Sequence, residues 1–132
     1  MNIENNIIIN SSNDVLSITF LYAVDNYLTF KTKVKSDEFS GVSNFCISKE
    51  EIASIINTLS IMHSELKGIC KIQDYDSDAF LYIEVQKLGH VLISGQIGGS
   101  HQEHFMKFKI KTDQTVLLNL IQTFKSLFKA NA

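Results

Sequence analysis

The chain has 132 residues and a formal net charge of −2, a length that suits one domain and leaves little room for two. Apolar residues make up 45% and charged residues 20%, so the chain falls outside the disordered range and can bury a core without a metal or disulfide staple. Its 12 basic residues are all lysine; the lack of arginine, the residue that forks onto phosphate and guanine, speaks against nucleic-acid binding, although the richness in Ile, Asn and Lys offers codon bias as another cause.

In chain order, Ile7-Ile8-Ile9 offers a first short strand. Val15 to Tyr22 alternates with Leu16, Ile18, Phe20 and Tyr22 on one face. Asp25-Asn26 suits a hairpin turn, since both residue types tolerate left-handed backbone. Tyr27 to Lys35 follows, with Leu28, Phe30, Thr32 and Val34 inward and Lys31, Lys33 and Lys35 outward. A further strand runs from Phe39 to Ile47. Ser48 and Glu51 form a capping box, flanked by the staple pair Ile47 and Ile52, and so predict a helix over 48–66 with a stripe of Ile52, Ile55, Ile56, Leu59 and Met62; Gly68 follows its end. Then come strands at Ile69–Gln73, Phe80–Gln86, His90–Ile97 and Phe105–Lys111, with a turn at Leu88-Gly89. Phe105–Lys111 puts Met106, Phe108 and Ile110 inward and Lys107, Lys109 and Lys111 outward. Thr112 or Asp113 caps a last helix over 113–129, which buries Val116, Leu117, Leu120, Ile121, Phe124, Leu127 and Phe128.

The order strands-helix-strands-helix predicts a single α+β domain over residues 1–132: an antiparallel sheet of about six to eight strands with two amphipathic helices packed on it. Cys46 and Cys70 lie in apolar strand-like stretches without CxxC spacing, which favours buried free thiols in a reducing compartment, with a disulfide between them left open by the sequence. The start Met1-Asn2-Ile3-Glu4 lacks a secretion signal, and no apolar run is long enough to cross a bilayer, so a cytoplasmic protein without membrane contact is expected.

Candidate chemistry is sparse. His101, Glu103 and His104 could meet a zinc ion, but Gly98-Gly99 before them marks a loop, and no third ligand with supporting groups is evident; no metal and no cofactor are expected. Gly95-Gln96-Ile97-Gly98-Gly99 matches no phosphate cradle. No nucleophile elbow or local cysteine signature is present, and His63 and His90 make no triad, so no catalysis is expected. The two lysine rows read as solvated sheet faces that discourage edge pairing, or as a basic patch for an acidic partner. Asp74-Tyr75-Asp76-Ser77-Asp78 is the strongest local charge; it lacks the glycine and terminal glutamate of a calcium loop.

The C-terminal half carries a resemblance. Leu88-Gly89-His90-Val91 opens a strand that Ile93-Ser94-Gly95 closes, and Phe108-Lys109-Ile110-Lys111-Thr112-Asp113-Gln114-Thr115 leads into a Leu-rich helix. With Phe39-Ser40-Gly41 ahead of the first helix, the chain resembles the WapI family of bacterial immunity proteins over roughly residues 15–128, most sharply at Gly89-His90 and Asp113-Gln114-Thr115. The resemblance implies a cytoplasmic protein that binds and neutralises a co-encoded toxin domain, often a nuclease. Such surfaces differ among members, so no interface residue carries over. For a basic toxin groove, the matching acidic surface is Asp74, Asp76 and Asp78 with Tyr75 as an aromatic anchor, joined by Asp37 and Glu38. The opposite geometry, lysine rows against an acidic toxin, is left open by the sequence. So are two other classes, a self-associating structural module and a metal protein built on the His101–His104 loop.

Overall fold

Period-two alternation becomes strand wherever it is strong in this chain, whose computed structural model describes residues 5–130. The order is β1 (Asn5–Asn10), β2 (Asp14–Val24), β3 (Tyr27–Ser36), β4 (Phe39–Ser48), α1 (Lys49–Glu65), β5 (Gly68–Gln73), β6 (Phe80–Val85), β7 (His90–Ile97), β8 (Met106–Asp113) and α2 (Thr115–Ala130). All pairings are antiparallel, and the strands divide into two four-stranded meanders, β1-β2-β3-β4 and β5-β6-β7-β8. The sequence points to one sheet with helices on its far face; alternation tells which side of a strand is wet but not which strands share a ladder. The long crossover through α1 separates the two halves.

The helix signals work as local chemistry requires. The Ser48 hydroxyl accepts the Glu51 N–H at 3.2 Å, and Ile47 and Ile52 are both buried beside the cap. Leu66 ends α1 in the left-handed region (φ 55°, ψ 41°), its N–H donating to the Met62 carbonyl; Gly68 comes two places later. Asp113, rather than Thr112, caps α2, with a carboxylate oxygen accepting the Thr115 N–H at 2.9 Å.

One core joins all layers. The Phe30 ring stacks on Phe45 with centroids 5.7 Å apart and meets Phe124 of α2 edge-on at 5.9 Å. Ile72, Leu81, Ile83 and Ile93 of the second sheet join the same buried cluster. The inner faces of the two sheets meet at Gly41, where a Cβ would lie 3.0 Å from Met106 Sδ and 3.2 Å from Ile97 Cγ2. A register shift between Phe20 and Tyr22 interrupts the alternation of β2. Tyr22, expected inward with Leu16, Ile18 and Phe20, is therefore turned out and 55% exposed.

Within this core the Thr32 hydroxyl is fully buried on β3 and has no hydrogen-bond partner among the described residues. A stranded hydroxyl costs more than a methyl of the same shape. Thr32→Val is therefore expected to stabilise the fold by about 1 kcal/mol. The measurement is the urea midpoint, and a lowered midpoint would show that the hydroxyl is satisfied in solution.

Candidate functional site

The acidic run forms the connection between β5 and β6, and its carboxylates divide the labour. Asp74 is buried, 4% exposed. One of its oxygens accepts the Cys46 N–H at 2.9 Å and the Asp76 N–H at 3.2 Å; the other accepts the Ser77 hydroxyl at 2.6 Å. Asp78 ties this loop to the next one, accepting from Gln96 Nε2 at 3.0 Å and from both the backbone and the hydroxyl of Ser100. The Ser100 hydroxyl and backbone bonds hold the Asp78 carboxyl below its usual range. Asp74 is thus an internal fastener, contrary to its expected place on the surface, and Asp78 is exposed but engaged.

Tyr75 and Asp76 are the members of the run that face water freely enough to meet a partner. The Tyr75 N–H donates to the Cys46 carbonyl at 3.0 Å, so with Asp74 the loop clamps one residue of the β4 edge from both sides. Its ring, 70% exposed, packs on Tyr27 with centroids 5.2 Å apart. The proximity of Tyr75 and partial desolvation push the Tyr27 phenol above its ordinary value. Both rings line a groove of about 410 Å³ with Cys46, Ser48, Glu51 and Asp74.

Asp37 and Glu38 do not join this surface. They form the β3–β4 turn, at the other end of β3 from Thr29, the partner of Cys46. Seven residues of strand put them roughly 20 Å away. Asp37 is held in the left-handed region (φ 55°), its N–H donating to the Asn13 carbonyl at 2.8 Å.

What the acidic run gains instead comes from elements distant in the sequence, the β2–β3 turn and the start of α1. The Asn26 side chain donates to Glu50, and the Lys49 N–H donates to the Asn26 carbonyl at 2.8 Å, fastening the β2–β3 turn to the start of α1. Glu50, bonded by its own backbone N–H and by Asn26, is held below the ordinary glutamate range. Tyr27 on the outer face was legible, being in phase with Lys31 and Lys33. Tyr22 was not, because nothing in the residue pattern announces the bulge.

The remaining candidates are placed as follows. His101, Glu103 and His104 are exposed on the β7–β8 loop, with His104 Nε2 3.9 Å from a Glu103 oxygen. Among the described residues no group of three or more His, Cys, Asp or Glu is placed to hold a metal ion. Cys46 and Cys70 are free thiols, and burial pushes Cys70 up to about 11, which keeps it protonated and unreactive. Lys107, Lys109 and Lys111 lie on β8, an edge strand, where they guard against edge pairing; Lys31, Lys33 and Lys35 lie on the outer face of β3, an interior strand, and Lys35 donates to the Ser12 carbonyl at 3.5 Å.

The sharp sequence motifs meet one another. His90 is paired with Asp113, and a Cβ on Gly89 would lie 3.5 Å from Gln114 Oε1. They form the junction that starts both β7 and α2.

A model of the immunity protein WapI-like family matches residues 7–131. Among solved structures, the crystal structure of WHY1 from Arabidopsis thaliana is similar in fold, with a TM-score of 0.60 and 13% identity over 97% of this chain and 90% of that one. No curated protein matches the chain.

Proposed function

The chain belongs to the WapI-like immunity protein family, and from that premise we propose that it is a cytoplasmic inhibitor that binds and neutralises a toxin domain encoded beside it, a nuclease in the reading favoured here, and that it does so without catalysis. The observation that carries this is the extent of the family match, which takes in both sheets and both helices. The chemistry of the surface agrees. Burial keeps Cys70 protonated, and the exposed aromatics Tyr22 and Tyr75 offer adhesion. No helix of the described residues is long and apolar enough to cross a membrane.

An inhibitor must hold its target at cellular dilution. A nanomolar dissociation constant corresponds to roughly −12 kcal/mol, which takes on the order of 800 Å² of this protein's surface with a few dominant anchors. Tyr75 and Asp76 remain in the proposed surface, and Asp74 contributes by holding their loop. Co-expression with the neighbouring toxin domain is expected to restore growth, and the purified pair should migrate as one complex. Cells that die equally fast with and without this protein, and a pair that does not associate, would refute the assignment.

A further inference from the structure

The β2–β3 hairpin end of the first sheet presents an aromatic strip on its outer face. Tyr22 is paired with Thr29, and Thr29 with Cys46; Val24 is paired with Tyr27, and Tyr27 with Ser48. Directly opposed residues share a face, so Tyr22, Val24, Tyr27 and Cys46 all point outward. The loop residue Tyr75, bonded to the Cys46 carbonyl, adds one further lane and lays its ring on Tyr27. Three of the chain's 4 tyrosines are gathered here. Tyr75 is 70% exposed, Val24 60% and Tyr22 55%. Four lanes of sheet span roughly 15 Å, the size of an interface centre.

The rim is acidic. Asp25 forms the hairpin turn, Glu50 is bonded to Asn26 beside it, Glu51 lines the groove next to Tyr27 and Tyr75, and Asp76 follows Tyr75. Lys49 at the start of α1 has its ammonium 5.0 Å from the Phe128 ring centroid, and its charge also helps to hold Glu50 ionised. Lysines begin at Lys31 and continue down β3 away from the strip, which leaves this one face with an acidic aromatic end and a basic end.

We propose that this strip, centred on Tyr22, Tyr27 and Tyr75 and rimmed by Asp25, Glu50, Glu51 and Asp76, is the docking surface for a cationic protein face, that of the toxin domain. The inference rests on the immunity reading and assigns its interface. Large tyrosines, with the Tyr27 and Tyr75 rings already packed on each other, give contact area at little entropic cost. Their π faces receive lysine or arginine side chains, and the carboxylates steer and pair with the same cations. The lysine end repels a basic partner and so fixes its orientation. The carboxylate rim disfavours a phosphate backbone on the same strip.

The test uses the full chain and the neighbouring toxin domain. Y22A/Y75A is expected to weaken binding by about 100-fold or more with an unchanged urea midpoint. E51Q/D76K should slow association and flatten its dependence on salt, while K31E/K33E should leave affinity unchanged or improve it. Hydroxyl-radical labelling of the wild-type complex should protect Tyr22 and Tyr75 and spare Tyr82. Should wild type bind and neutralise while Y22A/Y75A, equally folded, binds within about 3-fold of it, the surface is misassigned and the immunity function stands. Protection that falls on the Lys107–Lys111 face has the same meaning. Failure of the wild type to bind the domain overturns both. Binding of a labelled single-stranded oligonucleotide that Y22A/Y75A abolishes would overturn the protein-docking assignment and give the strip to nucleic acid.

Discussion

Gly95→Ala is expected to cost about 3 kcal/mol or more, a large part of the 5–15 kcal/mol that holds an ordinary domain together. Gly95 sits inside β7, paired with Leu81 of β6 on one side and Phe108 of β8 on the other. A Cβ at this position would lie 2.2 Å from the Phe80 carbonyl oxygen and 3.1 Å from its carbonyl carbon. The obstacle is main chain, which no rotamer change can move aside. The two strands must separate, and the ladder bonds flanking Gly95 lengthen with them. Gly99→Ala is the matched control: its nearest neighbour would be Ser77 Cβ at an ordinary 3.4 Å, and its cost should stay under about 1 kcal/mol. Urea denaturation of both variants gives the comparison. Equal midpoints would mean that β6 and β7 can part at no cost, contrary to their packing.

Asp74→Ala should rank second, at about 3 kcal/mol. Three hydrogen bonds converge on this buried carboxylate, two from backbone N–H groups and one from a hydroxyl. Bonds to a charged acceptor are stronger than neutral ones, and their loss leaves the part-buried Cys46 N–H at the edge of β4 without its partner. The charge as such is not the reason. Asp76→Ala removes the same charge two residues away on the exposed side and should stay within about 0.5 kcal/mol of wild type. A thermal or urea midpoint in which the two alanine variants coincide would show that Asp74 is solvated and that the loop is not pinned.

These two residues also show what the sequence could and could not disclose. Gly95 was visible as part of the Ile93-Ser94-Gly95 segment of the family resemblance, and its meaning there is steric. The same holds for Gly89-His90 and Asp113-Gln114-Thr115, which touch across the β7–α2 junction and so mark shared architecture. Helix caps were legible because they depend on neighbours within three or four residues. The burial of Asp74 is not legible, because four letters of acid and tyrosine look alike whether they face water or fold back on a strand 28 residues earlier. Asp37 and Glu38 joined the same imagined surface because charge, unlike position, can be read from a string. Tyr22 was placed inward because a single shifted register reverses every later side chain, and that shift leaves no mark in hydrophobicity. The division into two sheets was hidden for a related reason: alternation is a property of each strand, whereas sheet membership belongs to pairs.

The position of α2 has a consequence for the order in which the molecule can be made. Its residues Val116, Leu117, Leu120, Phe124 and Leu127 are buried, Phe124 closes over Phe30 of β3, and Asn119 donates to the carbonyl of Ile8, 111 residues earlier in the chain. On a ribosome the first meander emerges long before this cover exists. Its inner face can only collapse loosely, or be sheltered, until α2 has cleared the exit tunnel and closed the longest loop in the fold. The core is therefore completed only after α2 has emerged. The first meander depends for its cover on the docking of one helix far along the chain.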